Sequence, residues 1–348
     1  MNVLITGGAG FIGCNLAHRL ARDGHRVVVL DSLVREGSER NLQHLLNNTG
    51  YAWPIVFHQT DIRNSVGLGA AMSAEPRPLD AVVHLAGQTT VTESVTDPVH
   101  DFAVNATGTL NLLQAVRSHA PAAQVVFAST NKVYGDLRSL RTERVGNRYV
   151  IPDHPDGISE AFPTDAASPY GCSKLAADCY MRDYAKTFGL FTTVLRMSCV
   201  YGRWQNAMMG QGWVAWFARS ALLGSAVTVY GDGLQVRDLL HVDDLVDAYV
   251  SILNGPKGSG EAYNIGGGSR FAVAIWAEFG ALLQDLVGHP IPVRYERRRV
   301  ADQDVFISDH RKLSAATGWY PRRAPRDGVA ELLDWMAVEL RSRNAVGT

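Results

Sequence analysis

The sequence predicts a doubly wound α/β fold: a parallel sheet covered by helices on both faces, joined to a smaller mixed α/β lobe towards the C-terminus. Three observations carry that reading. The chain opens on an apolar strand, a glycine turn and a helix in immediate succession. Unbroken apolar strands then alternate with helical patterns over the first two-thirds of the chain, as expected where helices cover both faces of a sheet. Beyond Tyr201 the alternation weakens into loops and short elements.

Taken in order, the expected strands of the large sheet are 3–5, 27–30, 55–58, 81–85, 125–128 and 192–196. The expected helices are 12–22, about 99–119 and 173–188. The stretch 136–168 interrupts the rhythm. It is polar, carries Pro152, Pro155, Gly157 and Pro163, and is long enough for a connection inside a compact domain to mark it as functional. Residues 202–212, 227–238 and 294–304 read as loops and short elements of the lobe, and a helix begun near Asp243 and Asp244 returns to the large domain. The expected division is 1–200 plus about 237–256 for a dinucleotide-binding domain, and about 201–236 plus 257–340 for a substrate lobe.

Composition narrows the class. The 348 residues are 46% hydrophobic and 19% charged, with net charge −1, which suits a globular enzyme with a large core and gives no reason to expect nucleic acid as partner. No apolar run approaches the ~20 residues that span a bilayer. The first strand begins at residue 3 and leaves no room for a signal peptide, so a cytoplasmic location is expected. Cys14, Cys172, Cys179 and Cys199 form no Cys-x-x-Cys pair and read as reduced core thiols. Histidines show no His-x-x-x-His pair, so no metal is expected.

The run Thr6-Gly-Gly-Ala-Gly-Phe-Ile-Gly13 spaces Gly7, Gly10 and Gly13 by three, and Gly8, Gly10 and Gly13 fit G-x-G-x-x-G. That pattern answers three demands of a dinucleotide site: a tight turn, close approach of backbone to a pyrophosphate, and close packing of helix on strand. The helix N-terminus then offers N–H groups and a positive dipole end to phosphate. The second strand ends at Asp31, where a carboxylate would hold a ribose hydroxyl.

Tyr170-Gly-Cys-Ser-Lys174 places a phenol and an ammonium four residues apart on one helix face. A phenol is a poor base near its ordinary pKa of ~10, and a nearby cation favours its phenolate. Ser129 and Thr130 end an apolar strand, where doubly wound sheets place their ligands.

Together the glycine turn, His84-Leu-Ala-Gly-Gln88, Asn105, Ser129-Thr130, Tyr170-x-x-x-Lys174 and Arg237-Asp-Leu-Leu-His-Val-Asp-Asp244 resemble the extended short-chain dehydrogenase/reductase family, with its Rossmann domain and its nucleotide-sugar epimerases. The resemblance runs from residue 1 to about residue 335. It implies an NAD-dependent isomerase with Thr130, Tyr170 and Lys174 as catalytic residues. For NAD it implies Gly7, Gly10, Phe11, Ile12, Gly13, Asp31, Asp61, Ile62, Leu85, Ala86, Gly87, Asn105 and Ser129, together with Tyr170 and Lys174. For a nucleotide-diphosphate sugar it implies Gln88, Thr130, Asn131, Gln211, Arg237 and Arg299, the two arginines as clamps on the pyrophosphate. Asp31 implies NAD over NADP, because a 2′-phosphate would meet like charge there.

Ser129-Thr-Asn-Lys-Val-Tyr-Gly-Asp136, Ser168-Pro-Tyr-Gly-Cys-Ser-Lys174, Gln211-Gly-Trp-Val-Ala-Trp-Phe217, Val236-Arg-Asp238 and Val300-Ala-Asp-Gln303 bring a narrower resemblance, to CDP-hexose 2-epimerases. It implies transient oxidation at C2 and return of hydride to the other face. A UDP- or GDP-sugar 4-epimerase needs the same Thr, Tyr and Lys, and a dehydratase or reductase shares the scaffold. The dehydratases typically follow the catalytic Thr with an Asp-Glu pair, where this chain has Asn131 and Lys132. The helices near 99–119 and 173–188 resemble the pair that forms a homodimer in the family, with Leu112, Leu113, Val116, Tyr180 and Tyr184 as apolar candidates. Trp213, Trp216 and Phe217 are candidates for stacking on a base or for core packing.

Overall fold

The structure is a computed structural model that describes residues 1–208, 210, 212–299 and 301–346, with side chains as far as Arg341. Gln211 and Val300 of the expected site lie outside the described residues. Strand β1 (Asn2–Thr6) leads to α1 (Phe11–Arg22), β2 (Arg26–Asp31), α2 (Ser38–Leu46), β3 (Val56–Gln59), α3 (Ser65–Ser73) and β4 (Ala81–His84). Two short helices, α4 (Val91–Thr96) and α5 (Pro98–Phe102), pass through a π-helical turn (Ala103–Thr107) into α6 (Gly108–His119) and β5 (Gln124–Thr130). A hairpin of β6 (Glu143–Val145) and β7 (Arg148–Val150) precedes α7 (Pro169–Phe188), β8 (Phe191–Met197) and β9 (Cys199–Tyr201). The remainder forms α8 (Trp213–Leu222), β10 (Val227–Tyr230), β11 (Val236–His241), α9 (Val242–Leu253), β12 (Glu261–Ile265), β13 (Ala272–Ala274), α10 (Phe279–Val287), β14 (Val293–Glu296), β15 (Val305–Phe306), α11 (Arg311–Thr317) and α12 (Pro325–Val346).

Seven strands make one parallel sheet in the order β12-β8-β5-β4-β1-β2-β3. The chain leaves β1 for one side of the sheet and returns at β4 on the other, so the order reverses between β1 and β4. The crevice at their C-terminal ends is where such sheets bind ligands. Two apolar cores flank the sheet: Leu16, Leu20, Leu245 and Tyr249 on one face, Leu112, Val116, Met181 and Tyr184 on the other. Coverage from both sides explains why β1, β4 and β5 are buried along their whole length.

A third core lies in the lobe, where Phe217, Phe279, Leu283, Leu332 and Met336 pack under α8, α10 and α12. Its main sheet joins distant pieces of chain: β11 pairs with β9 and β15 in parallel and with β13 antiparallel. The carboxylate of Asp238, fully buried on β11, accepts from the Ser198 hydroxyl, from Gly268 N (3.1 Å) and from Ser308 N (3.1 Å). One side chain thus ties three remote segments together.

Several expectations change. The helix over 99–119 is broken in three, because the π-helical turn inserts an extra residue around Asn105. Residues 261–265, expected in the lobe, form the edge strand β12 of the large sheet. Cys172 and Cys179, expected as core thiols, are exposed on α7, because the buried face of that helix runs through Lys174, Ala177, Asp178, Met181 and Tyr184. Leu112, Leu113, Val116 and Tyr184 are buried within the chain, which leaves Tyr180 as the exposed member of that set.

Candidate active site

The glycine turn between β1 and α1 is made by backbone. Gly7 has φ +68°, and a Cβ there would come within 2.6 Å of Ala86 N. A Cβ on Gly13 would come within 2.2 Å of Gly7 O, so only glycine lets α1 settle onto the turn. Gly10 caps α1 without a side-chain hydrogen bond, and the first turn that follows, with Phe11 and Ile12, holds no acidic residue. This end of the helix is shaped and charged for an anion. The Asp31 carboxylate accepts from Ala9 N (3.0 Å) and Leu33 N (2.9 Å), and burial raises its pKa. Leu85, Ala86 and Gly87 run past the turn, and the Thr6 hydroxyl accepts from Ala86 N at 3.4 Å. Ile62 is buried, whereas the Asp61 carboxylate is held by Arg63 (2.6 Å).

Asn105 sits in the π-helical turn and donates to Asp101 (3.1 Å) and Ser173 (3.1 Å). Its Oδ1 is buried with no hydrogen-bond partner among the described residues and faces Gly87, where a Cβ would come within 2.8 Å of it. A cradle closed to side chains, an uncapped helix start and an orphaned buried acceptor together fit a dinucleotide between β1 and β4.

The C-terminal end of β5 carries the groups expected to react. Tyr170 starts α7 one residue after Pro169, and its main-chain N–H donates to the Ser94 hydroxyl at 3.1 Å. The Thr130 hydroxyl donates to Asn131 Oδ1 (3.3 Å) and lies near enough to the Tyr170 phenol to lower its pKa. Burial dominates and pushes the phenol up to about 12; the Thr130 contact and the Arg35 charge pull the other way. Lys174 Nζ donates to Ala128 O (2.6 Å), and burial brings its pKa down to about 7. In this structure Lys174 therefore anchors the end of β5, and the nearby groups that favour the phenolate are Thr130 and Arg35. The Ser129 hydroxyl turns away and donates to Asp178 (3.1 Å), which also holds Arg196 in a two-pronged pair of 2.9 and 3.1 Å.

A polar layer closes the site towards the lobe. Asn131 donates to Gln303 Oε1 (3.3 Å), and Gln303 donates to Gly135 O (2.6 Å). Arg237 is buried and donates to Asp302 (2.7 Å) and Gln303 O (2.7 Å). Arg299 is exposed, its guanidinium 3.9 Å from the centre of the Tyr230 ring. Gln88 is buried and donates to Thr90 O (2.8 Å). Trp213 and Phe217 pack edge-on against Phe279 and Trp276 in the lobe core, which favours their packing role.

Three supports of the site received no role from the sequence. His84 is fully buried between the hydroxyls of Thr6 (2.7 Å) and Thr109 (3.0 Å), and burial lowers its pKa to about 3, so it stands there as a neutral imidazole. His84 opens the motif that runs to Gln88, whereas Asp178 and Arg35 fall in no spacing that signals chemistry. His241, Asp243 and Glu331 gather in one place, but Arg203 (3.0 Å) and Arg323 (3.0 Å) already hold the Asp243 carboxylate and Arg203 also reaches Glu331 (3.2 Å).

Known proteins resemble this chain. Residues 3–266 match the NAD dependent epimerase/dehydratase family. The chain is 41% identical over 343 residues to the CDP-paratose 2-epimerase of Salmonella typhi, covering 96% of this chain and 99% of that protein. It is 32% identical over 335 residues to the UDP-glucose 4-epimerase of Mycolicibacterium smegmatis, covering 96% and 98%. Among solved structures, the UDP-glucose 4-epimerase of Thermotoga maritima with UDP-glucose superimposes with a TM-score of 0.83 at 29% identity, covering 98% of this chain and 100% of that one. The UDP-glucose 4-epimerase of Thermus thermophilus in complex with NAD gives 0.80 at 32% identity, covering 97% and 99%. The match over most of the chain, on a sheet whose crevice fits a dinucleotide, makes this protein a member of the NAD-dependent epimerase/dehydratase family.

Proposed function

We propose that this enzyme is an NAD-dependent nucleotide-sugar epimerase that inverts C2 of a CDP-hexose. The observation that carries the reading is the gathering of Thr130 and the Tyr170 phenol at the end of β5, followed by Asn131 and Lys132, where neither side chain is a carboxylate. The 41% identity to a CDP-paratose 2-epimerase supports the choice of CDP and of C2.

When bound, NAD supplies the reversible oxidation of one sugar carbon, which makes the reaction redox-neutral. Gly7, Gly10 and Gly13 would hold its diphosphate against α1, Asp31 its adenosine ribose, and Asn105 and Lys174 the end near Tyr170. The Tyr170 phenolate takes the proton from the sugar hydroxyl and later returns it, and the Thr130 hydroxyl shares that hydrogen bond. Because burial holds the phenol at about 12, the positive groups around it set how much phenolate forms near neutral pH. Arg237 and Arg299 would retain the pyrophosphate while the sugar turns over between the two transfers.

A homodimer belongs to the same reading. Val95, Val99, Phe102 and Tyr180 are exposed on α4, α5 and α7, which pack side by side. A charge at Phe102 is expected to yield monomers by light scattering.

The test is a thermal-shift series with CDP, UDP, GDP and dTDP, followed by NMR of the product from the preferred nucleotide sugar. A ligand at ~100 times its dissociation constant stabilises the fold by ~2.7 kcal/mol. A shift confined to CDP and inversion at C2 are expected; a larger shift with another nucleotide, or inversion at C4, overturns the substrate.

A further inference from the structure

The polar layer holds one cation to which the chemistry above gives no task. Lys132 lies two residues beyond Thr130, and its main-chain N–H donates to the Thr130 hydroxyl at 3.3 Å. Its carbonyl lies against the start of α7: a Cβ on Gly171, the residue after Tyr170, would come within 2.9 Å of it. Residue 132 is thus wedged between the carriers of both reacting hydroxyls.

The Lys132 ammonium donates to Ala301 O (3.2 Å) and makes no ion pair among the described residues. The charged and titratable groups that face it are Arg237 from β11, Asp302 from the segment before β15, Asp136 from its own loop and Cys199 from β9. Asp302 is already taken by Arg237 at 2.7 Å. A half-buried positive charge beside Arg237, on the residue two beyond Thr130, is therefore left without an ion pair among the described residues, which suits an anionic ligand.

Sugar geometry says which anion. C2 is bonded directly to the anomeric carbon that carries the diphosphate, whereas C4 lies across the ring. When the C2 hydroxyl meets Tyr170 and Thr130, the sugar-proximal phosphate must stand beside the end of β5. A carboxylate at position 132 would repel it there. We propose that the Lys132 ammonium receives the sugar-proximal phosphate and thereby turns C2 towards Tyr170. The proposal rests on the C2 reading above.

Burial first, and Arg237 second, bring the Lys132 pKa down to about 8. The cation is therefore present below that pH and lost above it, so diphosphate affinity falls as pH rises through about 8.

The experiment is calorimetric binding of CDP and CMP to the enzyme as purified, to Lys132→Gln and to Lys132→Arg, at pH 7 and pH 9. Lys132→Gln is expected to weaken CDP about 10- to 100-fold and to leave CMP, which lacks the second phosphate, unchanged. Lys132→Arg keeps CDP binding and loses the fall towards pH 9 shown by the unaltered enzyme. With nucleotide sugar, Lys132→Gln raises KM and also lowers kcat, since an unanchored sugar samples unreactive orientations. Equal losses for CDP and CMP, or no loss for CDP, overturn the phosphate contact; an unchanged kcat overturns the turning of C2. If UDP binds in place of CDP, the nucleobase reading fails, and UDP against UMP puts the same question to Lys132. An epimer inverted at C4 overturns the C2 reading while the phosphate comparison still stands.

Discussion

The glycine turn after β1 and the polar layer after β5 stand on the same edge of the same sheet, yet they are built in opposite ways. The turn comes from eight consecutive residues, and its shape depends on side chains being absent: a Cβ on Gly7 or Gly13 would run into backbone. The polar layer comes from positions 130–132, 170–174, 237 and 301–303, and depends on side chains being present. Backbone shape survives many neighbouring substitutions, whereas a site of converging side chains fails when one group goes missing. That contrast fits the two tasks, since binding a diphosphate needs N–H groups and space, while moving a proton needs a particular phenol.

Substitutions should separate the two regions. The largest effect is expected for Tyr170→Phe, which removes the proposed proton acceptor and should lower turnover by ~10²–10⁴-fold. NAD retained on purification should stay at the native level, and a near-native rate would remove Tyr170 from its role. Asp178→Asn comes next. It leaves the Arg196 guanidinium buried without its partner and should cost about 3–5 kcal/mol of stability in urea unfolding. Gly7→Ala should show the reverse pattern to Tyr170→Phe: a strained left-handed backbone and a collision with Ala86 cost roughly 1–3 kcal/mol, with loss of bound NAD measured by absorbance. The smallest effect is expected for Arg326→Ala, whose ion pair with Asp285 (2.5 Å) is exposed on both sides; unfolding should change by less than about 0.5 kcal/mol.

Legibility followed the same divide. β1, the glycine turn and α1 could be read because each contact there is local, and the Tyr170–Lys174 spacing could be read because helical geometry fixes it. The direction of Lys174 could not. Its ammonium bonds Ala128 O, a partner 46 positions away, instead of acting directly on the phenol. Cys172 and Cys179 share a helical face, but whether that face is inside depends on what packs against α7. The strand β12 was missed because its pairing with β8 follows a long excursion through the lobe. The break in the helix at Asn105 leaves no mark in an apolar pattern, since a π-helical turn shifts the period by a single residue.

From the amino-acid order alone came the doubly wound class, the glycine turn and the hydroxyls proposed to react, because short-range geometry and alternating burial write themselves into spacing. Tertiary structure decided which of these groups meet. It joined Asn131 to Gln303 across 172 positions, set Arg237 on Asp302 and left Lys132 without an ion pair among the described residues. Such contacts depend on how β11, β15 and the end of β5 are brought side by side, and the free energy that does so comes from burying apolar surface of remote segments together, Val133 and Tyr134 with Phe306 and Val236 with Ala274 and Val305, which no single motif encodes.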